Sequence, residues 1–517
     1  MKAQLLFRDR DPNIARKLTP RELALVQDLG LETLFSAMAH DDEFLLDVAV
    51  QTVLASLADV DVILYRQAIL RDCMKNPEIV RSLYQNCLDA IENERQHSRY
   101  FFSNSPSSIV SRCHEVLQGF TPMLRQLRQI ADAHSGRFES GGFATLFETL
   151  KSELDDTFFL SVADHLRQLE FRGGVLISAR LGKGNKGEEI TLRTPWPDER
   201  WWLARLLGPK SETYSYQLHP RDENGFRALS ALKGRGLNSI ANALNRSTDH
   251  ILNFFKMLRT ELAFYVGCLN AQAALAAKEQ PTCFPSPAQM GECRLSFRGL
   301  YDVSLALNSS ERAVGNDLDA DGKRLLVVTG ANQGGKTTYL HGVGQAQLMM
   351  QAGMFAPANS FGADLRDCIF THFKREEDAS MNSGKLDEEL VRMSDMVEQM
   401  THHSLALFNE SFAATNDREG SEINRQIVSA LIESGIKVVA VTHLYEFARK
   451  FYDADLKDAT FLRADRREDG TRTFKVREGE PLQTSFGEDL YDEIFLGRPL
   501  GQSTESEKAR PEAGVHP

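Results

Sequence analysis

Apolar positions fall at helical spacing through most of the first 280 residues, and in short strand-like bursts through much of the rest. The pattern opens at Thr19-Pro20-Arg21-Glu22, a capping box with proline at the first helical position, and a second helix start stands at Asn76-Pro77-Glu78. From Phe143 onward, Leu146, Phe147, Leu150, Leu154, Phe158, Val162, Leu166 and Leu169 recur mostly three or four apart, which predicts one long amphipathic helix. The texture changes at Gly173-Gly174. Residues 175–180, 189–193 and 214–218 read as short strands, the first two separated by the glycine-rich turn at 182–187. Ser247-Thr248-Asp249 then offers an N-cap to a helix carrying Ile251, Leu252, Phe255, Leu258 and Leu262. One helix leads out to a small tip and another leads back.

Residues 281–287 mark a boundary. Beyond them hydrophobic strands at 325–329, 405–408 and 438–442 alternate with helices, the signature of a domain with a largely parallel sheet. Asp469-Gly470 turns a hairpin between 460–464 and 473–476. The expected fold class is α + α/β. Residues 1–282 form a helical part with a β-containing tip at about 173–225, and residues 283–500 a domain with the parallel sheet. Residues 501–517, polar and proline-containing, form a disordered tail. There is no internal repeat.

At 517 residues the chain exceeds a single ordinary core, and 42% hydrophobic with 26% charged residues fits a packed, water-soluble protein. No apolar run is long enough for a membrane helix and the first residues carry no export signal, so no membrane association and a cytoplasmic location are expected. The seven cysteines are scattered without a Cys-x-x-Cys pair and read as reduced thiols. A net charge of -12 excludes a surface that binds nucleic acid all over. Residues 166–259 nevertheless hold 16 Lys and Arg against 9 Asp and Glu, a local basic excess that also suits an ordinary solvated stretch.

The strongest chemical signal is Gly330-Ala331-Asn332-Gln333-Gly334-Gly335-Lys336-Thr337, which fits Gly-x-x-x-x-Gly-Lys-Thr, the Walker A pattern, between a strand and a helix starting near Thr338. Glycines let backbone N–H groups close on phosphate oxygens, and the helix N-terminus adds partial positive charge. Lys336 is placed to contact the β- and γ-phosphates and the Thr337 hydroxyl to ligate Mg²⁺. Asn409 and Glu410 end a second apolar strand, at the edge where ligands of open α/β sheets gather, and Glu410 is the natural group to orient or deprotonate a water. His443 ends a third strand. A lone histidine is more often structural, but its place at this edge suits a γ-phosphate sensor.

Together the Walker A segment through Thr338-Tyr339, the Phe408-Asn409-Glu410 strand end and Val441-Thr442-His443 resemble the ATPase domain of the MutS family, itself related to ABC-type ATPases. The resemblance continues at Phe355-Ala356-Pro357-Ala358, at residues 415–420 and at Ser485-Phe486-Gly487, covering residues 290–500. The helix, tip and returning helix before it are similar to that family's lever and clamp.

The resemblance implies ATP and Mg²⁺ as cofactors, DNA as partner and a homodimer in which a loop of the partner subunit completes each ATP site. The corresponding stretch is 379–385, with Ser383 as the residue reaching across and Ser380 and Asn382 as close rivals. Metal contacts fall to Thr337 and Asn409. Most members carry Asp-Glu where this chain has Asn409-Glu410, so hydrolysis is expected to survive but slowly. No Phe in residues 1–300 has Glu two positions later, and the helices begin within the first 20 residues, so no mismatch-reading wedge is expected. Backbone contacts to DNA fall to Arg180, Lys183, Lys186 and Arg193. The alternatives are an ABC-like ATPase acting on another nucleic acid assembly such as a ribosome, and a nucleotide-gated scaffold that scarcely hydrolyses.

Overall fold

The computed structural model describes residues 1–100, 105–171, 174–185, 187–193, 214–331, 333–375, 384–467 and 471–482. These divide into two compact units, one of Met1–Asp11 and Lys75–Leu262, the other of Pro12–Met74 and Ala263–Pro517. No described helix is long and apolar enough to cross a membrane.

In the first unit, helices Pro77–Tyr100, Pro106–His134, Gly141–Glu153 and Asp156–Leu169 join the first part of a 54-residue helix, Glu223–Ala276. Aromatic rings fill the core: Phe120 stands 5.6 Å from Phe255, and Phe138 packs on Phe143 and Phe147 at 4.5 and 5.1 Å. The N-terminal residues are tied down by the buried Glu261, whose carboxylate accepts the backbone N–H groups of Leu5 and Leu6, the latter at 2.9 Å. The single helix expected over 143–169 is instead two. Leu154 leaves helical geometry (φ -107°, ψ 49°), and the Asp155 carboxylate caps Phe158 N–H at 2.7 Å to start the second. Conversely, Ser247-Thr248-Asp249 caps nothing. The helix runs through it from Glu223, with Thr248 itself buried between Ala241 and Leu252, and the true start is marked by Asp222 accepting Gly225 N–H at 2.8 Å.

The tip contains β1 (Ile177–Leu181) and β2 (Gly187–Leu192), an antiparallel pair with a register shift between Ser178 and Arg180. A Cβ at Gly236 of the long helix would stand 2.8 Å from Ile177 Cδ1, so this glycine lets β1 lie close against the helix. Residues 214–218 are not a strand. Tyr214 and Tyr216 are exposed there, on backbone without strand geometry.

The second unit holds two sheets. β3 (Ser286–Ala288), β4 (Leu295–Leu300), β5 (Asn316–Asp319) and β7 (Ser360–Asp364) form a four-stranded sheet in the order β3-β7-β4-β5, which the sequence pattern does not announce. The other comprises β6 (Leu325–Thr329), β8 (Ile369–Phe373), β9 (Leu405–Asn409), β10 (Lys437–Val441), β11 (Ala459–Arg466) and β12 (Arg472–Glu478). Its order is β12-β11-β6-β10-β9-β8, parallel throughout except for antiparallel β12. Alternate residues of β6, β9 and β10 serve opposite faces. Leu325, Val327, Ala406, Phe408, Val438 and Ala440 meet Val428, Leu431, Phe447 and Phe451 of helices Asp417–Glu433 and Tyr445–Asp453. Both faces are covered, which is why these strands read as unbroken apolar runs.

Against the other face lies helix Lys336–Gln351, buried almost all round. Two of its buried glutamines are paired: Gln345 Nε2 donates to Leu29 O and Asp302 Oδ1, both at 2.9 Å, and Gln351 Nε2 to Leu57 O at 3.0 Å. These bonds fix the helix whose first residues are Lys336 and Thr337. The Thr19 capping box is present as expected, with Glu22 Oε2 accepting Thr19 N–H at 2.8 Å.

Candidate nucleotide site

β6 ends at Thr329 and the next helix starts at Lys336, so the glycine-rich loop is held between a fully buried strand and a fixed helix. Gly330 and Gly335 adopt φ of 115° and 88°, open to glycine and strained for other residues. Gly334 is needed for space, since a Cβ there would stand 2.8 Å from Ala464 Cβ and 2.9 Å from Ala331 O. Ala464 belongs to β11, which runs beside β6, so the sheet order itself closes the loop.

Lys336 is 5% exposed, and its Nζ donates to Gly330 O at 2.8 Å and Ala331 O at 3.0 Å. Burial pushes the ammonium below its usual pKa, against the pull of the Glu410 carboxylate. Thr337 Oγ1 donates to Asn409 Oδ1 at 3.2 Å, bringing together two neutral oxygens of the kind a hard divalent cation accepts. Gln333 Oε1 accepts from Arg472 at 2.7 Å.

Glu410 leaves β9 in a left-handed conformation (φ 52°) and donates its N–H to Val441 O at 2.9 Å. His443 Nδ1 lies 3.8 Å from Glu410 Oε1. Contact with His443, opposed by burial and helped by Lys336 and Lys374, holds the carboxyl below the usual carboxylate range. A cavity of about 450 Å³ is lined by Lys336, Thr337, Thr338 and Glu410 together with Tyr301, Leu305, Val314 and Phe474. It offers cation and N–H groups to an anion and an apolar wall to a flat ring.

The structure thus brings together Gly330, Ala331, Gln333, Gly334, Gly335, Lys336, Thr337, Thr338, Asn409, Glu410 and His443. Asn332 and Ser383 lie outside the described residues, as do the Asp469-Gly470 turn, Ser485-Phe486-Gly487 and residues 501–517. Sequence reasoning missed His372. It is fully buried at the end of β8, accepts or donates through Nδ1 to Ser411 Oγ at 2.8 Å, and stacks on Phe412 at 5.1 Å. Ser411 Oγ also donates to His372 O at 2.8 Å. Phe412, like Glu410, has positive φ (59°), so the histidine braces a turn with two strained residues. The signal was a polar pair at the end of an apolar run, Thr371-His372.

Residues 326–494 match MutS domain V, and residues 58–278 match the MutS2 N-terminal domain. The chain belongs to the MutS family. It is 33% identical over 178 residues to Endonuclease MutS2 of Thermus thermophilus, covering 34% of this chain and 22% of that protein. The DNA mismatch repair protein MutS of Chloroflexus aurantiacus is 32% identical over 206 residues, covering 39% and 21%. The DNA mismatch repair protein MSH3 of Coccidioides immitis is 28% identical over 221 residues, covering 41% and 19%. These matches span only about a fifth of each relative's length. The domain V match begins one residue into β6 and takes in every described nucleotide-loop residue.

The basic residues of the tip belong to the other compact unit of this MutS-family chain. Lys183 is exposed, Arg180 reaches Glu189 at 3.5 Å, and Arg193 Nε donates to Ser178 Oγ at 2.9 Å. Lys186 lies outside the described residues.

Proposed function

We propose that the chain is an ATP-dependent DNA-binding protein with a P-loop, ABC-like ATPase domain. It hydrolyses ATP at composite dimer sites to gate a clamp on DNA, without dedicated mismatch reading. The observation that carries this is the convergence of buried Lys336, Thr337 and Glu410 on one cavity, with Asn409 beside Thr337 and His443 beside Glu410. In this reading residues 1–282 are lever and clamp, with the tip at about 173–225, and residues 283–500 are the nucleotide-driven part. Ser383 serves the partner's ATP, and the protein works in the cytoplasm.

Lys336 and the loop N–H groups bind the phosphates, and the apolar side chains of the cavity wall take the base. Thr337 and Asn409 would hold Mg²⁺, which when bound neutralises charge on the β- and γ-phosphates. Glu410, kept ionised by its neighbours, accepts a hydrogen bond from water and aims its oxygen at the γ-phosphorus. A carboxylate with a lowered pKa is a weak base, so aiming outweighs proton removal. His443 shares the water or the γ-phosphate with it. On the tip, Lys183, Lys186 and Arg193 contact DNA phosphates, with Arg180 partly engaged by Glu189. Support comes from the basic excess over 166–259.

The test is ATP binding and turnover in Lys336→Ala and Glu410→Ala. The first should bind no ATP; the second should bind it and turn over about 10²-fold more slowly. Normal affinity in the first, or normal turnover in the second, overturns the site. The neutral Asn409 beside Thr337 favours a second reading, a nucleotide-gated scaffold with little hydrolysis. Asn409→Asp restores a negative charge and should raise turnover or lower the Mg²⁺ needed. A wild-type rate that matches the variant's and responds to DNA removes the scaffold reading.

A further inference from the structure

Past Glu410, the carboxyl edge of the parallel sheet opens into a second cavity, of about 370 Å³, which the nucleotide reading does not use. Its walls carry Lys374, Arg375, Lys385 and Arg392 against Glu388 and Glu389. It borders the same turn as Glu410, because Ala413 lines it and Lys374 N–H donates to Asn409 O at 3.0 Å. The Lys374 ammonium is near enough to help hold the Glu410 carboxyl down.

Among the described residues, two wall carboxylates stand against these four cations. Glu389 is buried, its acidity weakened by that burial, and it already accepts Phe412 N–H. Asp28, which faces Arg375 and Arg392, is likewise pushed up by burial. Arg392 donates to Phe373 O at 2.8 Å and to His372 Nε2 at 3.3 Å. Its Nε is sealed from solvent and meets no acceptor among the described residues. Burial, and then the like charge of Arg375, press its guanidinium below the usual range. Holding Lys374, Arg375, Lys385 and Arg392 around one cavity costs free energy that an oxyanion would offset.

We infer that this pocket binds a phosphate-type oxyanion and, in the ATPase reading on which this rests, receives the inorganic phosphate cut from ATP. In that reaction the water oxygen bonds to the γ-phosphorus as the bond to the bridging oxygen breaks. ADP, a phosphate dianion and a proton result. The dianion leaves towards Lys374, while Lys336 keeps the diphosphate.

The test is equilibrium dialysis of the full chain against radiolabelled orthophosphate without nucleotide, with binding of a fluorescent ATP analogue measured in parallel. Lys336→Ala should keep its phosphate affinity, and Lys374→Gln with Arg375→Gln should lose about tenfold or more. Lys374→Arg with Arg375→Lys should restore it. The Gln pair should bind the ATP analogue within about twofold of wild type, which shows that it is folded. Added phosphate should slow steady-state ATP turnover in wild type and not in the Gln pair. Equal phosphate affinity in wild type and the Gln pair, or loss in Lys336→Ala alone, overturns the pocket. Phosphate binding without inhibition of turnover overturns the product assignment. A protein that takes up phosphate through Lys374 and Arg375 but binds no ATP would refute the nucleotide reading and leave the oxyanion pocket standing.

Discussion

Two glycine- and lysine-rich turns, 330–337 and 182–187, look alike in sequence and differ in what surrounds them. In the first, Lys336 is buried on two loop carbonyls and Gly334 faces Ala464 with no room for a methyl group. In the second, Lys183 is exposed, and a Cβ at Gly182 would meet only the flexible side chain of exposed Glu188. A glycine motif becomes a rigid site when neighbouring strands close on it. Without them it remains a solvated turn whose charges act mainly through phosphate attraction.

Gly334→Val should break this contrast most visibly. Overlap with Ala464 and Ala331 would displace the loop, and ATP affinity measured by calorimetry should fall about 100-fold or more. Gly182→Ala should leave DNA affinity within about twofold, since the Glu188 carboxylate can swing away. Equal losses at the two glycines would show that both turns are built alike.

His372 tests how far the rigid region extends. His372→Leu removes the bond to Ser411 and the brace on the turn bearing Glu410, so turnover should fall about tenfold while ATP affinity holds. Burial, aided by Arg392, drops the His372 pKa to about 3, which keeps the ring neutral at physiological pH. The stability this depressed pKa contributes is present above the unfolded value near 6.5 and is lost as pH falls toward 3. Wild type should therefore lose more stability than His372→Leu when urea unfolding is compared at about pH 7 and pH 5. Equal slopes would place a protonated His372 in the fold and defeat the bracing role.

On the tip, Lys183→Glu with Arg193→Glu should weaken DNA binding and lower the slope of log affinity against log salt by about 2, one per lost phosphate contact. Matched duplex and single mismatch should weaken alike. A mismatch preference that persists at moderate salt would reveal a recognition element in this chain.

What could be read in advance follows the same division. β6, β9 and β10 are buried on both faces, so their apolar runs are continuous and their edges fall within one residue of the pattern. Thr337, Asn409, Glu410 and His443 were legible because each ends or follows such an element. β3, β4, β5 and β7 are short and mix polar with apolar residues, and the pairings of β7 with β3 and β4 join segments over 60 residues apart, as between Ser286 and Gly362. β8 was hidden by Thr371 and His372, polar residues that are buried only because Ser411 and Phe412 come to meet them. With β8 unseen, the Lys374–Arg392 cavity could not be placed. In the long helix, Ser247-Thr248-Asp249 spelled a helix start, but Thr248 is buried within a continuous helix.

The smallest effect expected separates the charges of the tip from one another. Arg180 and Glu189 face each other across the hairpin at 3.5 Å, with side chains 75% and 71% exposed. An ion pair so open to water holds together by no more than about 1 kcal/mol and is screened by salt. Arg180 is thus available to DNA only after leaving Glu189, whereas Lys183 forms no ion pair among the described residues. Arg180→Ala should therefore weaken DNA binding less than Lys183→Ala. Glu189→Ala should strengthen it by a few-fold at low salt, because one phosphate competitor is gone and a guanidinium is released. Both differences should vanish as salt rises toward about 0.5 M, where exposed charges are screened within a few ångströms. An Arg180→Ala loss as deep as that of Lys183→Ala, or one that persists at high salt, would mean that the hairpin holds its arginine as firmly as the nucleotide loop holds Lys336.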